Sequence, residues 1–333
     1  MSLPPREIPL GAIRFNSDSQ KLEYWMGSAW MQILTFTPSL DGGSRGLFGG
    51  GQSPSVVNNV DYVTIPIQGN AIDFGNLTRQ SSLLGACSSR TRGLWGGDYP
   101  SAGNVIDFVT ISTLGDATDF GDLTVARYNL TGFGNETRGC FAGGHTPSHK
   151  NVIDFVTISS TGNANDFGDM VHRGHGPAGA ASPVRGFVLG GYSDPAGSVQ
   201  NTIQFVTIAT TGDAVDFGDL VNTRRNFEAT SNTTRCCTTG GYSSPTYFKD
   251  IQLVTMSSLG NAVLFGELIA NIYVHGSSGD HIRGLSAGGQ NPGNQTRIEY
   301  FNFATQGDSN DFGDLTVGRH TPKGVSNAHG GLG

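Results

Sequence analysis

An Arg followed by a Gly-Gly pair recurs six times along the chain. The copies are Arg45-Gly-Leu-Phe-Gly-Gly-Gly51, Arg92-Gly-Leu-Trp-Gly-Gly97, Arg138-Gly-Cys-Phe-Ala-Gly-Gly144, Arg185-Gly-Phe-Val-Leu-Gly-Gly191, Arg235-Cys-Cys-Thr-Thr-Gly-Gly241 and Arg283-Gly-Leu-Ser-Ala-Gly-Gly289. Successive arginines lie 47, 46, 47, 50 and 48 residues apart. A second landmark keeps the same phase: an apolar run ending near Thr-Ile, a Gly-Asn or Gly-Asp pair, then Asp-Phe-Gly and a carboxylate or amide. Its phenylalanines, Phe74, Phe120, Phe167, Phe217, Phe265 and Phe312, are spaced 46, 47, 50, 48 and 47. Self-similarity at a fixed period decides architecture before any local motif does, and a unit of about 47 residues holds four short strands with their turns, the period of a propeller blade. No stretch carries the i, i+3, i+4, i+7 apolar pattern of an amphipathic helix.

Within a unit the Arg-to-Gly-Gly segment reads as the second strand, Phe108-Val-Thr-Ile111 and its equivalents as the third, and Asp-Phe-Gly-Asp-Leu as the fourth. The first strand precedes the next Arg, as in Leu130-Thr-Gly-Phe-Gly134. The third strand is apolar on both faces (Val105, Ile106, Phe108, Val109, Ile111), as stacking on two neighbours requires. Pairs such as Gly162-Asn163 suit a tight hairpin. Before Arg45 the segment Pro38-Ser-Leu-Asp-Gly-Gly-Ser44 makes a poor first strand, whereas the tail Leu315 to Asn327 aligns with Leu123 to Asn135 and then stops. The expected fold is therefore all-β: a six-bladed β-propeller over residues 39–333 whose C-terminal strand closes the first blade, plus a small β element over residues 1–38. Closure by a shared strand removes exposed sheet edges.

Composition narrows the partners. With 333 residues, 50 glycines, a charged fraction of 14% and net charge −7, the chain can bury a full core but has no clustered cations to track phosphates. No nucleic-acid partner is expected, and no apolar run reaches bilayer-spanning length, so no membrane insertion is expected either. Cys87, Cys140, Cys236 and Cys237 show no Cys-x-x-Cys spacing and read as buried small residues or free thiols.

Several groups invite a chemical role. Asp-Phe-Gly suggests a kinase, but it recurs in five of six units, with Leu264-Phe-Gly266 in the fifth, and reads as architecture. The arginines Arg45, Arg92, Arg138, Arg185, Arg235 and Arg283 could ring an anion, yet they repeat in phase with Asp73, Asp119, Asp166, Asp216 and Asp311. Bonding of each arginine within the propeller is the expectation, to a carboxylate on a neighbouring strand or blade as the better account or to a backbone carbonyl, rather than into an open pocket. A second acidic set, Asp122, Asp169, Asp219, Glu267 and Asp314, lacks a clustered Asp-x-Asp-x-Asp loop, so no metal is expected, and no cofactor. The eight histidines, among them His145, His149, His172 and His175, have no paired metal-ligand spacing. No nucleophile elbow appears, so an enzyme is not expected.

Positions that differ between units say more about ligands than those that repeat. The loops between the second and third strands each carry a Pro and otherwise diverge, as in Asp98-Tyr-Pro100, His145-Thr-Pro147, Tyr192-Ser-Asp-Pro195 and Tyr242-Ser-Ser-Pro245. On a propeller they share a face with the loops carrying Arg127, Arg173, Arg224 and Arg319. Tyr99, His145, Tyr192 and Tyr242 are the candidate binding residues there, for a glycan or protein.

Residues 1–38 lie outside the repeat. Gly11 to Asn16, Lys21 to Trp25 and Trp30 to Leu34 read as three strands, too small a sheet to stand without something to pack on. The string Gly11-Ala-Ile-Arg-Phe-Asn-Ser-Asp-Ser-Gln-Lys-Leu-Glu-Tyr24, with Trp30 downstream, resembles an N-terminal motif of tail-fibre and other virion proteins of tailed phages, especially those of marine cyanobacteria. The repeats resemble the kelch-type modules of the same phages, with Phe in Asp-Phe-Gly where cellular kelch repeats carry Trp. The resemblance implies a virion structural protein made in the host cytoplasm, tail-associated or a capsid decoration protein. It implies docking to other virion proteins through residues 1–38, oligomers within the particle, and a propeller presented to a host glycan or protein. The rival of another class is a propeller-fold enzyme.

Overall fold

Each repeat contributes four antiparallel strands to one sheet, and the third sheet continues past its fourth strand, Asn165–His175, into Tyr192–Ser193 and Ser198–Val199 of the following repeat. In the computed structural model, which describes residues 8–16, 21–32, 44–194 and 196–332, the second sheet runs Gly85–Ser88, Arg92–Gly96, Val105–Thr110 and Thr118–Asp122 in spatial order. The first strands of the third to sixth sheets are Thr131–Gly134, Ala178–Ala181, Glu228–Ser231 and Gly276–Gly279. The first sheet takes its first strand from the far end of the chain: Lys323–Ser326 pairs with Arg45–Gly49, Val325 opposite Leu47. Contacts divide the chain into two units, Met1–Gly43 and Ser44–Gly333. The protein is all-β, and among the described residues the one helical element is a 3-10 turn at Gly330–Leu332. No helix among them is long and apolar enough to cross a membrane.

The sheets succeed one another through six apolar interfaces. Cys87, Leu94, Ile106 and Phe120 of the second sheet pack with Phe141, Val156 and Ile158 of the third. The series closes where Leu285, Ile298 and Phe312 of the sixth sheet meet Phe48, Val63 and Ile65 of the first. The first strands also touch in cyclic order, the second sheet's strand meeting both Thr131–Gly134 and Lys323–Ser326.

The repeated Asp-Phe-Gly is a bulge. Opposite Ile106 and Asp107 stand Gly121 and Asp119, so Phe120 is the extra residue, and the register slips at the same point in all six sheets. The bulge turns the six phenylalanines inward, each 2–3% exposed. Losing one such ring should cost about 3–5 kcal/mol. Glycine follows because a Cβ at Gly121 would lie 2.4 Å from the carbonyl oxygen of Gly162 in the next sheet. The turn residue after that glycine completes the seam: Asn163 Oδ1 accepts the amide of Asp122, as Asp213 does for Asp169 and Asn261 for Asp219.

The repeated arginines correct the carboxylate half of one expectation and meet its backbone-carbonyl half. Arg45, Arg92, Arg138, Arg185, Arg235 and Arg283 do not pair with Asp73, Asp119, Asp166, Asp216 or Asp311, which lie exposed on the fourth strands. Each arginine reaches a backbone carbonyl of the following sheet instead. Arg45 donates to Ile111 at 2.9 Å, Arg92 to Ile158 at 2.9 Å, Arg138 to Ile208 at 2.8 Å, Arg185 to Met256 at 2.9 Å and Arg283 to Ile65 at 3.1 Å. Arg235 donates to the Phe303 carbonyl. Arg92 stacks over Phe108 on the way, 4.8 Å from its centroid, and Arg45, Arg138, Arg185 and Arg283 do likewise over the ring of their own third strand. The matched spacing of Arg and Asp reflects a shared repeat, because strand pairing puts the Asp on an edge that the arginine does not face.

The carboxylates that do tie sheets together sit inside the third strand, which is not apolar throughout. Asp61, Asp107 and Asp154 are buried beside the bulge. Asp154 accepts the amide and hydroxyl of Thr124 and pairs with Arg127 at 3.0 Å, both side chains fully buried. Asp61 does the same with Thr316 and Arg319, and Asp107 with Thr78 and Arg79. Gln204, Gln252 and Glu299 accept one amide each from the preceding sheet at the equivalent place.

In the unit Met1–Gly43, Ile13–Asn16, Lys21–Trp25 and Trp30–Gln32 form an antiparallel sheet in chain order. Ile13 opposes Tyr24, Phe15 opposes Leu22, and Tyr24 opposes Met31, so these side chains share one face, and all are exposed. On the other face Arg14 pairs with Glu23 at 2.8 Å and lies over Trp30. Ile33, Leu34 and the turn at 17–20 lie outside the described residues.

Candidate functional site

A pair of glycines in the left-handed region ends most second strands and delivers one residue to a common face. Gly143 has φ +68° and Gly144 φ +109°, and a Cβ on Gly144 would meet the Tyr128 carbonyl at 2.9 Å. The delivered residues are Gln52, Asp98, His145, Tyr192, Tyr242 and Gln290. Four of them pair in antiparallel fashion with a residue in the join between a fourth strand and the next first strand, Gln52 with His320, His145 with Tyr128, Tyr242 with Arg225 and Gln290 with Tyr273, and Tyr192 pairs with His175 at the end of the long fourth strand Asn165–His175. Asp98 accepts the Ser81 hydroxyl at 2.7 Å in the remaining sheet.

The result is an arc of rings in unbroken contact over four sheets. Tyr99 meets Tyr128 edge-on at 5.3 Å between centroids, Tyr128 meets His145 at 5.4 Å, and its hydroxyl lies 3.0 Å from His145 Nδ1. His149 stacks on His175 at 4.7 Å and 13°, and His175 lies 5.3 Å from Tyr192. The guanidinium of Arg225 bridges Tyr192 and Tyr242, and Tyr242, Tyr247 and Tyr273 close the series at 4.7–6.1 Å. Thus the fold gathers Tyr99, His145, Tyr192 and Tyr242 on one arc. It adds Tyr128, His149, His175, Arg225, Tyr247 and Tyr273, which sequence reasoning passed over. The signal was present in Arg127-Tyr128, Arg224-Arg225 and Arg319-His320: the residue after the joining arginine varies in the same phase.

Those joining arginines are not part of the surface, with one exception. Arg127, Arg224 and Arg319 are fully buried against Asp154, Asp250 and Asp61, whereas Arg173 is exposed and paired with Asp194 at 3.1 Å.

Apart from the Arg225 guanidinium, the arc is built of rings, and its half-buried His145 and His175 are held neutral. Burial, reinforced by His149 and Arg225, holds His175 down to about 4, and burial also lowers His145. Both rings are therefore uncharged at neutral pH and act through hydrogen bonds and ring faces. Among the described residues no three His, Cys, Asp or Glu side chains are placed to hold a metal. The four cysteines are free and buried, and burial pushes the thiols of Cys140 and Cys236 up to about 12.

Between the first strands lies a cavity of ≈ 70 Å³ lined by Ser88, Thr131, Thr230, Ser277, Ser278 and Ser326, among others. Most of these hydroxyls serve the fold: Ser277 donates to the Ala229 carbonyl, Ser278 to Val325 and Ser88 to Ser326. The Glu228 carboxylate pairs there with Lys323. No protein-family model matches the chain, and no curated protein matches it either.

Proposed function

We propose that the chain is a six-bladed β-propeller acting as a non-catalytic binding and structural component of a tailed-phage virion, tail-associated, with the propeller presenting the ring arc to a host glycan or protein. The observation that carries the binding role is the division of labour among residues. The repeated arginines, phenylalanines and bulge glycines are engaged in ties between sheets, whereas the divergent residues converge on one face as tyrosines, histidines and an arginine. Such rings offer contact area at low entropic cost together with a polar tip. Six apolar interfaces closing from the last sheet to the first support the propeller reading.

The virion role rests on the phage-like string from Gly11 to Tyr24 and on the exposed apolar face of Ile13, Phe15, Leu22, Tyr24 and Met31, which suits docking to other virion proteins. Binding of the full-length protein to a glycan array, lost in Tyr192→Ala and Tyr242→Ala, tests the face. Antibody labelling of intact particles by electron microscopy tests the position, label on the tail supporting the tail assignment and label over the head favouring capsid decoration. Particles without the protein would end the virion reading.

A further inference from the structure

Arg225 stands apart from the other arginines at the joins between sheets. Arg79, Arg127, Arg173, Arg224 and Arg319 each lie within 3.7 Å of a carboxylate. Among the described residues Arg225 has none, and its guanidinium lies between two tyrosine faces, 5.6 Å from the centroid of Tyr192 and 5.8 Å from that of Tyr242. Its Nε is shielded from water without a hydrogen-bond partner, as are those of Arg79, Arg127, Arg224 and Arg319, so the missing carboxylate is what sets Arg225 apart. The backbone holds the residue in place: Arg225 and Tyr242 exchange amide hydrogen bonds of 3.0 Å in both directions. A fixed, partly desolvated cation with no carboxylate beside it is incomplete, because removing a guanidinium from water is favourable only when its charge is met.

The surroundings add unmet capacity. His175 Nδ1, beside Tyr192, is also buried without a partner. His175 is held neutral, so it can donate or accept without repelling the cation. The rim alternates ring faces with hydroxyls: Tyr247 is 42% exposed, and the Thr223 and Ser243 hydroxyls lie 3.1 Å apart beside it in the chain fold. A pyranose has the matching alternation of C–H faces and hydroxyls, and a guanidinium fork matches a carboxylate.

We infer that Arg225, with Tyr192 and Tyr242, forms a subsite for the carboxylate of an acidic saccharide. The inference deepens the reading of the arc as a binding face and rests on it. Arg225 supplies a charge-assisted pair to the carboxylate while the tyrosines flank the sugar ring.

Calorimetric titration of the full chain with an oligogalacturonate and with the same oligomer reduced at its carboxyl groups tests this. The wild type is expected to bind the acidic oligomer at least about tenfold more tightly, the contribution of one charge-assisted contact. Arg225→Gln should erase that preference and leave binding to the reduced oligomer unchanged, whereas Tyr192→Ala and Tyr242→Ala should weaken binding to both. Arg225→Lys, which keeps the charge without the fork, provides the same comparison if the glutamine variant melts early. Equal binding of the two oligomers by the wild type, unaltered in Arg225→Gln, overturns the carboxylate subsite and leaves the arc as a neutral-sugar face. Arg225-dependent binding of an oligoglutamate with no binding of either sugar overturns the saccharide assignment in favour of an acidic peptide. No binding of any of the three overturns both the subsite and the binding face.

Discussion

The amide of Asn226 donates to the carbonyl oxygen of Gly176 at 2.8 Å, joining two sheets at the start of their first strands. The same bond runs from Asn129 to Leu83, Gly176 to Asn129, Val274 to Asn226 and Thr321 to Val274, an open head-to-tail circuit of backbone groups running from Leu83 to Thr321. All six residues have left-handed backbone, with φ between 51° and 66°. That geometry suits Gly176, Asn129 and Asn226 but strains a β-branched side chain. It persists at Val274 and Thr321 because the circuit needs the amide and carbonyl of each link aimed at its neighbours.

Val274→Asn should therefore raise stability by about 1 kcal/mol, since asparagine adopts this conformation more readily. Gly176→Ala should lower it, because a Cβ there would meet Asn226 Oδ1 at 2.4 Å. Urea unfolding of both variants against the wild type checks the pair. A stabilised alanine variant would mean that the circuit is loose.

Arg138→Met should destabilise the protein by about 1–3 kcal/mol, through an unmet Ile208 carbonyl and the lost stacking on Phe155. Asp166→Asn, at an exposed edge, should change stability by less than about 0.5 kcal/mol. Comparable losses in the two variants would restore an arginine–carboxylate tie.

The C-terminal turn should make the protein acid-sensitive. His329 Nε2 donates to the Ser88 carbonyl at 2.9 Å, and its Nδ1 accepts the amide of Gly331 at 3.1 Å. Burial lowers its pKa from 6.5 to about 4, and that of His275 to about 3. Neutral in the fold and protonated when unfolded at low pH, these rings contribute stability that is complete above pH 6.5 and is lost as pH falls toward 4. Protonated Nδ1 would face the Gly331 N–H donor to donor. Melting temperatures between pH 7 and pH 4 should fall more steeply for the wild type than for His329→Asn.

Removing residues 1–43 should leave the remainder folded, since every strand of the six sheets lies after Ser44. It should also abolish co-sedimentation with particles, because the exposed face built on Ile13, Phe15 and Tyr24 goes with it. Thermal melting and sedimentation of the truncated protein check the two halves separately. Normal assembly without the segment would overturn its docking role.

Much of the fold was legible because its determinants are periodic. The Arg and Phe landmarks, the glycine positions and the tail that aligns with Leu123 to Asn135 led to six sheets and a first sheet completed by Lys323–Ser326. What escaped was partner choice across the seams. Arg138 and Asp166 repeat in phase, yet whether they meet depends on which edge each side chain faces. The bulge at Phe167 and the depth of Asp154 settle that in favour of Ile208 and Arg127.

The sequence by itself determined the repeat unit, its strand order and the closure of the chain, since these follow from local periodicity and turn chemistry. It also marked Tyr99, His145, Tyr192 and Tyr242 as positions where the units diverge. Only the tertiary structure decided that the rings join into one arc through Tyr128, His149, His175 and Arg225, and that Arg127 is sealed within while Arg225 has no carboxylate beside it among the described residues. Those outcomes depend on the stagger of neighbouring sheets, which brings residues about 50 apart in sequence within one ring's width, a distance that no local propensity encodes.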